Sequence, residues 1–383
     1  MEPLVSGVGI VSGPIWGYTG WPARWRTAMG LLGVVILAGG CYSEPEEGPA
    51  VVLSQPEVAR ILRVEGGLTP WHRLPGYPAP RASITERMEH YQVPGAVVAL
   101  IRDGHMLWVR GCGGVGTGGR PPVLPGTWFP AGWLAPELLR LRNGVGGGVL
   151  DQRNPLPSHL LQDAARGHDA QGAPLPLDPS GTWVTVQGVG RLLHRVWQAA
   201  PHLVPEPLVL SREGEAGHIF FLPETGEGAV IFTNGAGGGA LGLEILEALA
   251  REYGWVRTPS PPTLERIETG STTAAERYEG SWEIAGSPGS RFHLEYVGQA
   301  LRMTLEGPLA LLPDGPGQAP PPTYYFPLTE GSWLEPRSGS RIRLEAGGES
   351  LQLEPGGYLA RRAIGSSVIP PPPPGDPPLP GGS

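Results

Sequence analysis

Side chains that could carry out catalysis are few in this sequence of 383 residues. All 28 of its basic side chains are arginine, and no lysine occurs. Ser211, Glu213 and His218 combine a hydroxyl nucleophile, a carboxylate and an imidazole base. However, neighbouring strand residues alternate between faces, and no Gly-x-Ser-x-Gly elbow surrounds the serine. The pattern therefore favours a surface loop over a catalytic site there.

Arginine cannot take over the work of a lysine base. Its guanidinium stays protonated at any physiological pH, so it donates hydrogen bonds but accepts no proton. Any reaction that needs a lysine as general base is therefore excluded for this chain. A formal net charge of −8 also gives no basic surface for nucleic acid.

The histidines do not form a recognisable metal-binding motif. His159, His168 with Asp169, and His194 lack a ligand spacing such as His-Glu-x-x-His, and we expect them at the surface. The glycine-rich stretch at 235–239 precedes a helix but lacks the Lys and Ser/Thr of a phosphate-binding loop. We therefore predict no metal and no cofactor.

The two cysteines have different sequence surroundings. Cys41 follows a basic flank and an apolar run that is shorter than the ~20 residues needed to span a bilayer. This arrangement fits a signal peptide, and Ala38-Gly39-Gly40-Cys41 resembles a bacterial lipobox, so Cys41 is the predicted lipidation site. An ordinary signal peptide is the alternative. Cys112 is predicted to be a small buried residue, and no disulfide is predicted.

Local patterns predict the elements that would position a site. Ser83 and Glu86 form a capping-box pattern at the start of an amphipathic helix. Asp103-Gly104 predicts a hairpin between two apolar strands over residues 95–109. A second hairpin is predicted over 218–233, and helices are predicted over 184–199 and 240–253.

Shifts in composition and period divide the chain into six segments. From about residue 276, apolar residues alternate with polar ones between glycine-rich turns, which is typical of a small antiparallel barrel. The predicted segments are a leader with signal peptide (1–41), a tether (42–80), a first domain (81–257), a linker (258–275), a β-barrel (276–363) and a proline-rich tail (364–383).

Several segments resemble the β-lactamase-related serine hydrolases, the superfamily of serine β-lactamases and penicillin-binding proteins. Residues 91–104 are similar to its opening strand, 127–132 to the segment before its catalytic Ser-x-x-Lys, and 223–235 to its closing strands. Residues 278–282 and 357–362 resemble the lipocalin-like domain often appended to it. The resemblance implies an α+β fold: a reduced β-lactamase-like antiparallel sheet with flanking helices, followed by a small antiparallel β-barrel.

The catalytic elements of that family have no counterpart here. Alignment places Trp133 at the nucleophilic serine and Pro136 at the lysine. No tyrosine occurs between Tyr91 and Tyr253, so the Tyr-x-Asn loop is missing. The Lys/His-x-Gly element falls on Ser211, Arg212 and Glu213. The interval from 133 to 211 is also shorter than the family's, which indicates the loss of its helical subdomain and predicts an exposed apolar face suited to a partner or a second copy.

The combined interpretation is a catalytically degenerate, lipid-anchored member of the family. It would sit in the periplasm or at the cell surface, held to the membrane by its lipid, and bind a cell-wall peptide or a protein partner. The first alternative is an active serine hydrolase, of β-lactamase, D,D-peptidase or esterase type, with relocated catalytic groups. The second is a decaying gene product without a selected role.

Overall fold

In a computed structural model of the protein, a six-stranded antiparallel sheet lies at the centre of the first part of the chain. Its spatial order is β1-β4-β3-β10-β9-β8. Its strands are β1 (Cys41–Tyr42), β3 (Gly95–Arg102), β4 (His105–Gly113), β8 (Leu208–Arg212), β9 (Glu215–Leu222) and β10 (Glu227–Thr233). The structure describes residues 41–42, 53–77, 79–116, 121–131, 134–146, 150–204, 208–212, 214–255, 263–264, 275–307, 322–328, 331–355 and 358–363.

Turn chemistry explains the hairpin of β3 and β4. Asp103 and Gly104 both have positive φ, 51° and 75°, as a two-residue turn matched to the strand twist requires. The Gly104 amide also donates a hydrogen bond of 2.8 Å to the carbonyl of Gly226 in the turn between β9 and β10. Both predicted hairpins are thus confirmed, and this hydrogen bond links the turn of one to the turn of the other.

Helices cover both faces of the sheet. They are α1 (Gln55–Glu65), α2 (Ile84–His90), α3 (Ala135–Gly144), α4 (Val186–Ala199) and α5 (Gly238–Tyr253). One face packs against α1 and α5 and the other against α3 and α4, because alternate strand residues such as Val98 and Val97 enter opposite cores. The helices predicted over 184–199 and 240–253 are confirmed, as is the capping box of Ser83 and Glu86.

The prediction of a tether over residues 42–80 is wrong for the part of that range that the structure describes. α1 begins after Ser54, whose hydroxyl accepts a hydrogen bond from the Glu57 amide, and it buries Ile61 and Val64 in the core. The signal was present in the sequence as an N-cap serine, a proline in the first turn and apolar residues three apart. No helix within the described ranges is long and apolar enough to cross a membrane.

Eight antiparallel strands close the second part of the chain into a barrel. They are β12 (Gly280–Ile284), β13 (Arg291–Val297), β14 (Ala300–Glu306), β15 (Thr323–Pro327), β16 (Trp333–Leu334), β17 (Arg341–Leu344), β18 (Ser350–Glu354) and β19 (Tyr358–Arg362). Trp282, Phe292 and Trp333 are among the fully or nearly fully buried residues of its interior. The α+β fold prediction is therefore confirmed, including its closing barrel.

Short pairings complete the described architecture. β5 (Phe129–Pro130), β6 (Gln152–Arg153) and β7 (Trp183–Val184) form a three-stranded sheet in the order β5-β7-β6. Within the predicted linker, β11 (Thr263–Leu264) pairs in parallel with β2 (His72–Arg73). The leader through residue 40 and the tail from residue 364 lie outside the described residues.

The expected exposed apolar face is not present in the described part of the chain. There, only two large hydrophobic side chains are exposed, Leu62 and Leu139, each at 43%. α3 and α4 cover one face of the sheet and bury Leu138, Leu193 and Val196 against it. The prediction of an apolar surface for a partner is therefore wrong for these residues.

Candidate functional site

The residues that sequence alignment sets against the Ser-x-x-Lys motif of the β-lactamase-related hydrolases lie at the start of α3. Trp133 is outside the described residues. Leu134 is the N-cap, and its side chain makes no capping hydrogen bond. Pro136 occupies the first helical turn, where its missing N–H leaves no hydrogen bond unmade. Leu134 and Leu138 are 1% exposed, whereas Pro136 lies at the surface between them.

The residues that sequence alignment sets against the Lys/His-x-Gly element begin at the end of β8. Ser211 pairs with Ala216 of β9, and Arg212 pairs with Glu215. Glu213 is outside the described residues. His218 pairs with Val209, two residues before Ser211 on the same strand. The register therefore does not place Ser211 directly opposite His218.

His218 is buried in the core and is not part of a surface loop. Its side chain is 0% exposed, and Nε2 donates a hydrogen bond of 2.9 Å to the Gly239 carbonyl of α5. Burial lowers its pKa to about 4, so the imidazole is neutral at physiological pH. Gly242 lies over the ring, and a Cβ built there would be 2.1 Å from Cε1. His218 is thus enclosed by α5 and cannot meet a substrate.

The loop that carries His168 packs against the turn from β8 to β9. The His168 amide donates to the carbonyl of Gly214 over 3.2 Å, and the Ala236 amide donates to the carbonyl of His168 over 3.0 Å. Nδ1 donates to the Asn234 carbonyl over 2.9 Å, and the side chain is 0% exposed. The prediction of a surface histidine is wrong here, because contacts with two distant segments, Gly214 and residues 234–236, hold the loop in the interior.

A buried charged network on α5 was not predicted from the sequence. Glu244, which is 0% exposed, accepts two hydrogen bonds of 2.7 Å from Arg87 and one of 2.6 Å from the hydroxyl of Tyr91. The amide of Trp71 adds a fourth over 2.9 Å. Burial raises the pKa of Tyr91 well above its usual value. Arg87 also donates to the carbonyl of Ser338 in the barrel, over 2.8 Å. The network fixes α2, α5 and the barrel together.

Cys41 and Cys112 are joined by a disulfide, so the prediction of no disulfide is wrong. The two residues face each other where β1 pairs with the edge of β4, 71 positions apart in sequence. Arg110 donates to the carbonyl of Cys41 over 3.1 Å and pairs with Glu65 over 2.9 Å. Both cysteines are buried, as expected for Cys112. Lipidation of Cys41 stays a prediction that competes with this bond, because both use the same sulfur.

Among the described residues, one group of three His, Cys, Asp or Glu side chains could converge on a metal: Cys41, Glu65 and Cys112. The sulfurs are joined to each other, and the carboxylate of Glu65 is bound to the guanidinium of Arg110. These three side chains therefore already have bonding partners within the protein. His159 is exposed, as predicted. Nδ1 of His194 is 2.7 Å from the Gly104 carbonyl, and its ring is half-buried.

Comparison with solved structures finds matches of low similarity. The octameric penicillin-binding protein homologue from Pyrococcus abyssi is 11% identical, with 72% of this chain and 98% of that chain covered at a TM-score of 0.36. The D-alanine carboxypeptidase AmpC from Burkholderia cenocepacia is 14% identical, with 43% and 96% covered at 0.30. A class C β-lactamase is 11% identical, with 43% and 95% covered at 0.31.

No protein-family model matches the sequence, and no curated protein resembles it in sequence.

Proposed function

We propose that this chain is a catalytically degenerate relative of the β-lactamase-related serine hydrolases that binds a cell-wall peptide or a protein partner at the cell envelope. The observation that carries the proposal is the start of α3. There Pro136 occupies the position of the family's lysine, in a chain that contains no lysine. Proline has no side-chain proton acceptor, so the proton transfer that activates a serine has no group at this position.

The rest of the motif positions support the same proposal. His218, the imidazole nearest in sequence to the Lys/His-x-Gly position, is held beneath α5 and keeps its ring in the core. The sequence offers no tyrosine between positions 91 and 253 for the second proton relay. A scaffold that keeps its sheet and loses these groups is suited to binding rather than to acyl transfer.

Two alternative modifications of the Cys41 sulfur are compatible with a location in the cell envelope. The lipobox resemblance favours a lipid thioether and a membrane-anchored protein. The disulfide to Cys112 favours an oxidising compartment outside the cytoplasm. One sulfur cannot carry both modifications, so the anchored form requires Cys112 to be a free thiol. Either modification supports the proposed location in the periplasm or at the cell surface.

The test is covalent labelling of the folded chain with a fluorescent penicillin and with a fluorophosphonate. We expect no label above that of the heat-denatured protein, because no activated serine is available. Titration with soluble cell-wall peptides should at the same time give saturable binding. Labelling that a single serine substitution abolishes would overturn the proposal.

The alternative is a serine hydrolase with relocated groups, and one contact in the barrel favours it. The hydroxyl of Ser281 on β12 lies 3.2 Å from Nδ1 of His293 on β13. Burial lowers the pKa of His293, which keeps its imidazole neutral and able to accept a proton. Ser281→Ala is therefore the informative variant, with Ser211→Ala as the matched control. Label or nitrocefin hydrolysis lost in the first and kept in the second would establish this alternative.

A further inference from the structure

A cleft between the start of β4 and α4 is lined by two histidines and a methionine. Its volume is about 230 Å³, and its lining residues are His105, Met106, Gly190, Arg191 and His194. None of these residues belongs to the degenerate motif positions. Thioether prefers soft transition metals, and imidazole suits copper, zinc, iron and nickel. The cleft therefore joins a cavity to ligand chemistry that the proposed binding function does not use.

The thioether of Met106 is held close to the helix that carries His194. A Cβ built on Gly190 would lie 2.6 Å from Sδ of Met106, so the sulfur rests directly against the helix at this glycine. Gly190 and His194 are four residues apart on α4 and thus share one face, with about 5–6 Å between such positions. The glycine makes room for the sulfur one helical turn before the imidazole.

The backbone orients the imidazole of His194. Its Nδ1 lies 2.7 Å from the carbonyl oxygen of Gly104, which can only accept, so Nδ1 carries the proton. Nε2 is then left with a lone pair. A histidine whose other ring nitrogen donates to a backbone carbonyl is the usual arrangement of a metal ligand. The carbonyl is itself fixed, because Gly104 forms the turn that is bonded to Gly226.

The imidazole of His105 lies next to that of His194 and can change its orientation. The ring centroids of His105 and His194 are 4.2 Å apart, with an angle of 39° between their planes. His105 is exposed, and no hydrogen bond holds its ring among the described residues. It can therefore turn a ring nitrogen into the cleft at the cost of one stacking contact.

The charge in the cleft does not oppose a cation. The guanidinium of Arg191 is the charged group in the lining, and it forms an ion pair with the carboxylate of Asp151. No carboxylate is among the lining residues, so the cleft does not offer the oxygen ligands that magnesium and calcium require. Two imidazoles with one thioether instead match copper(I).

We propose that His105, Met106 and His194 form a copper(I) site. Copper(I) is a soft ion that favours a thioether ligand, and it needs few ligands in total. Each histidine supplies one ring nitrogen and the methionine supplies its sulfur. The site stands independently of the proposed envelope binding, since it shares no residue with the motif positions.

The test titrates the full-length, disulfide-bonded chain with copper(I), kept reduced by ascorbate, against a chromogenic copper(I) chelator. We expect one ion per chain. His194→Gln, which replaces the imidazole with an amide, and Met106→Leu, which keeps the apolar volume, should each lower the affinity at least tenfold. His202→Ala removes an exposed histidine and should leave the affinity unchanged.

X-ray absorption identifies the ligands directly. The copper-loaded chain should show one sulfur and nitrogen neighbours, and the sulfur signal should disappear in Met106→Leu. Far-UV circular dichroism of each variant confirms that the fold is kept. The proposal is overturned if the chelator removes all copper, if His202→Ala weakens binding as much as His194→Gln, or if the sulfur signal persists in Met106→Leu.

Discussion

Glu244 is the residue on which the polar contacts beneath α5 converge. Its carboxylate is fully buried and receives hydrogen bonds from Arg87, Tyr91 and the amide of Trp71. A buried charge is tolerated only when its partners compensate the loss of water. The network therefore fixes positions in the fold and contributes stability only while it is complete.

Removing the carboxylate should leave the charge of Arg87 buried and unpaired. We expect Glu244→Ala to lower the free energy of unfolding by about 3–5 kcal/mol, measured by urea denaturation. Glu252→Ala is the control, because Glu252 pairs with the exposed Arg63 over 2.7 Å. Its loss should cost about 1 kcal/mol or less. Equal effects of the two substitutions would contradict a buried ionic role for Glu244.

At the scale of elements, β1 is attached to the sheet by covalent chemistry as well as by pairing. It contributes two residues at the edge of β4, and its Cys41 is bonded to Cys112. The cross-link closes a loop of 71 residues that contains α1 and α2. In the unfolded chain such a loop loses conformational freedom, which favours the folded state.

Cys112→Ser should lower the free energy of unfolding by about 4 kcal/mol according to the loop-closure relation. The measurement is urea denaturation, with a reductant titration of the parent chain as the second readout. Intact mass should show the parent chain lighter by two hydrogens than its reduced form. A mature chain that carries a diacylglyceryl mass at Cys41 would instead establish the lipid anchor and exclude the disulfide.

Elements set by neighbouring residues were predictable, and those set by distant contacts were not. The Asp103-Gly104 hairpin follows from turn chemistry, and α5 follows from the spacing of Leu241, Ile245 and Leu249. The Cys41–Cys112 bond and the burial of His168 depend on segments far apart in sequence. Of the candidate site, the residues that align with the catalytic motifs could be identified from the sequence. The enclosure of His218 could not, because it depends on the packing of α5 against the sheet.

At the scale of the whole molecule, residues 66–77 connect two cores. Leu68 is buried with the sheet and α1, whereas Leu74 is buried with Phe326 and Leu334 of the barrel. The ring of Tyr77 lies 4.8 Å from that of Phe326. This segment was expected to belong to a solvated tether, and it is instead shared between the two parts of the fold.

Shortening Leu74 should weaken the attachment of the barrel. We expect Leu74→Ala, at a residue 2% exposed, to lower the free energy of unfolding by about 2–5 kcal/mol. Leu62→Ala provides the control, since Leu62 is 43% exposed, and its effect should stay within about 0.5 kcal/mol. Thermal and urea unfolding measure both variants. A stable Leu74→Ala protein would show that the barrel holds its place without this side chain.

The glycine above His218 has a consequence for the way this sequence can change. With 2.1 Å between the imidazole and a methyl group at position 242, a side chain at 242 and an aromatic ring at 218 exclude each other. The two positions must therefore change together during evolution: a lineage that acquires alanine at 242 has first to replace the histidine with a smaller residue. Constancy of this pair among homologues would then reflect steric coupling between a strand and a helix, and not selection for an activity.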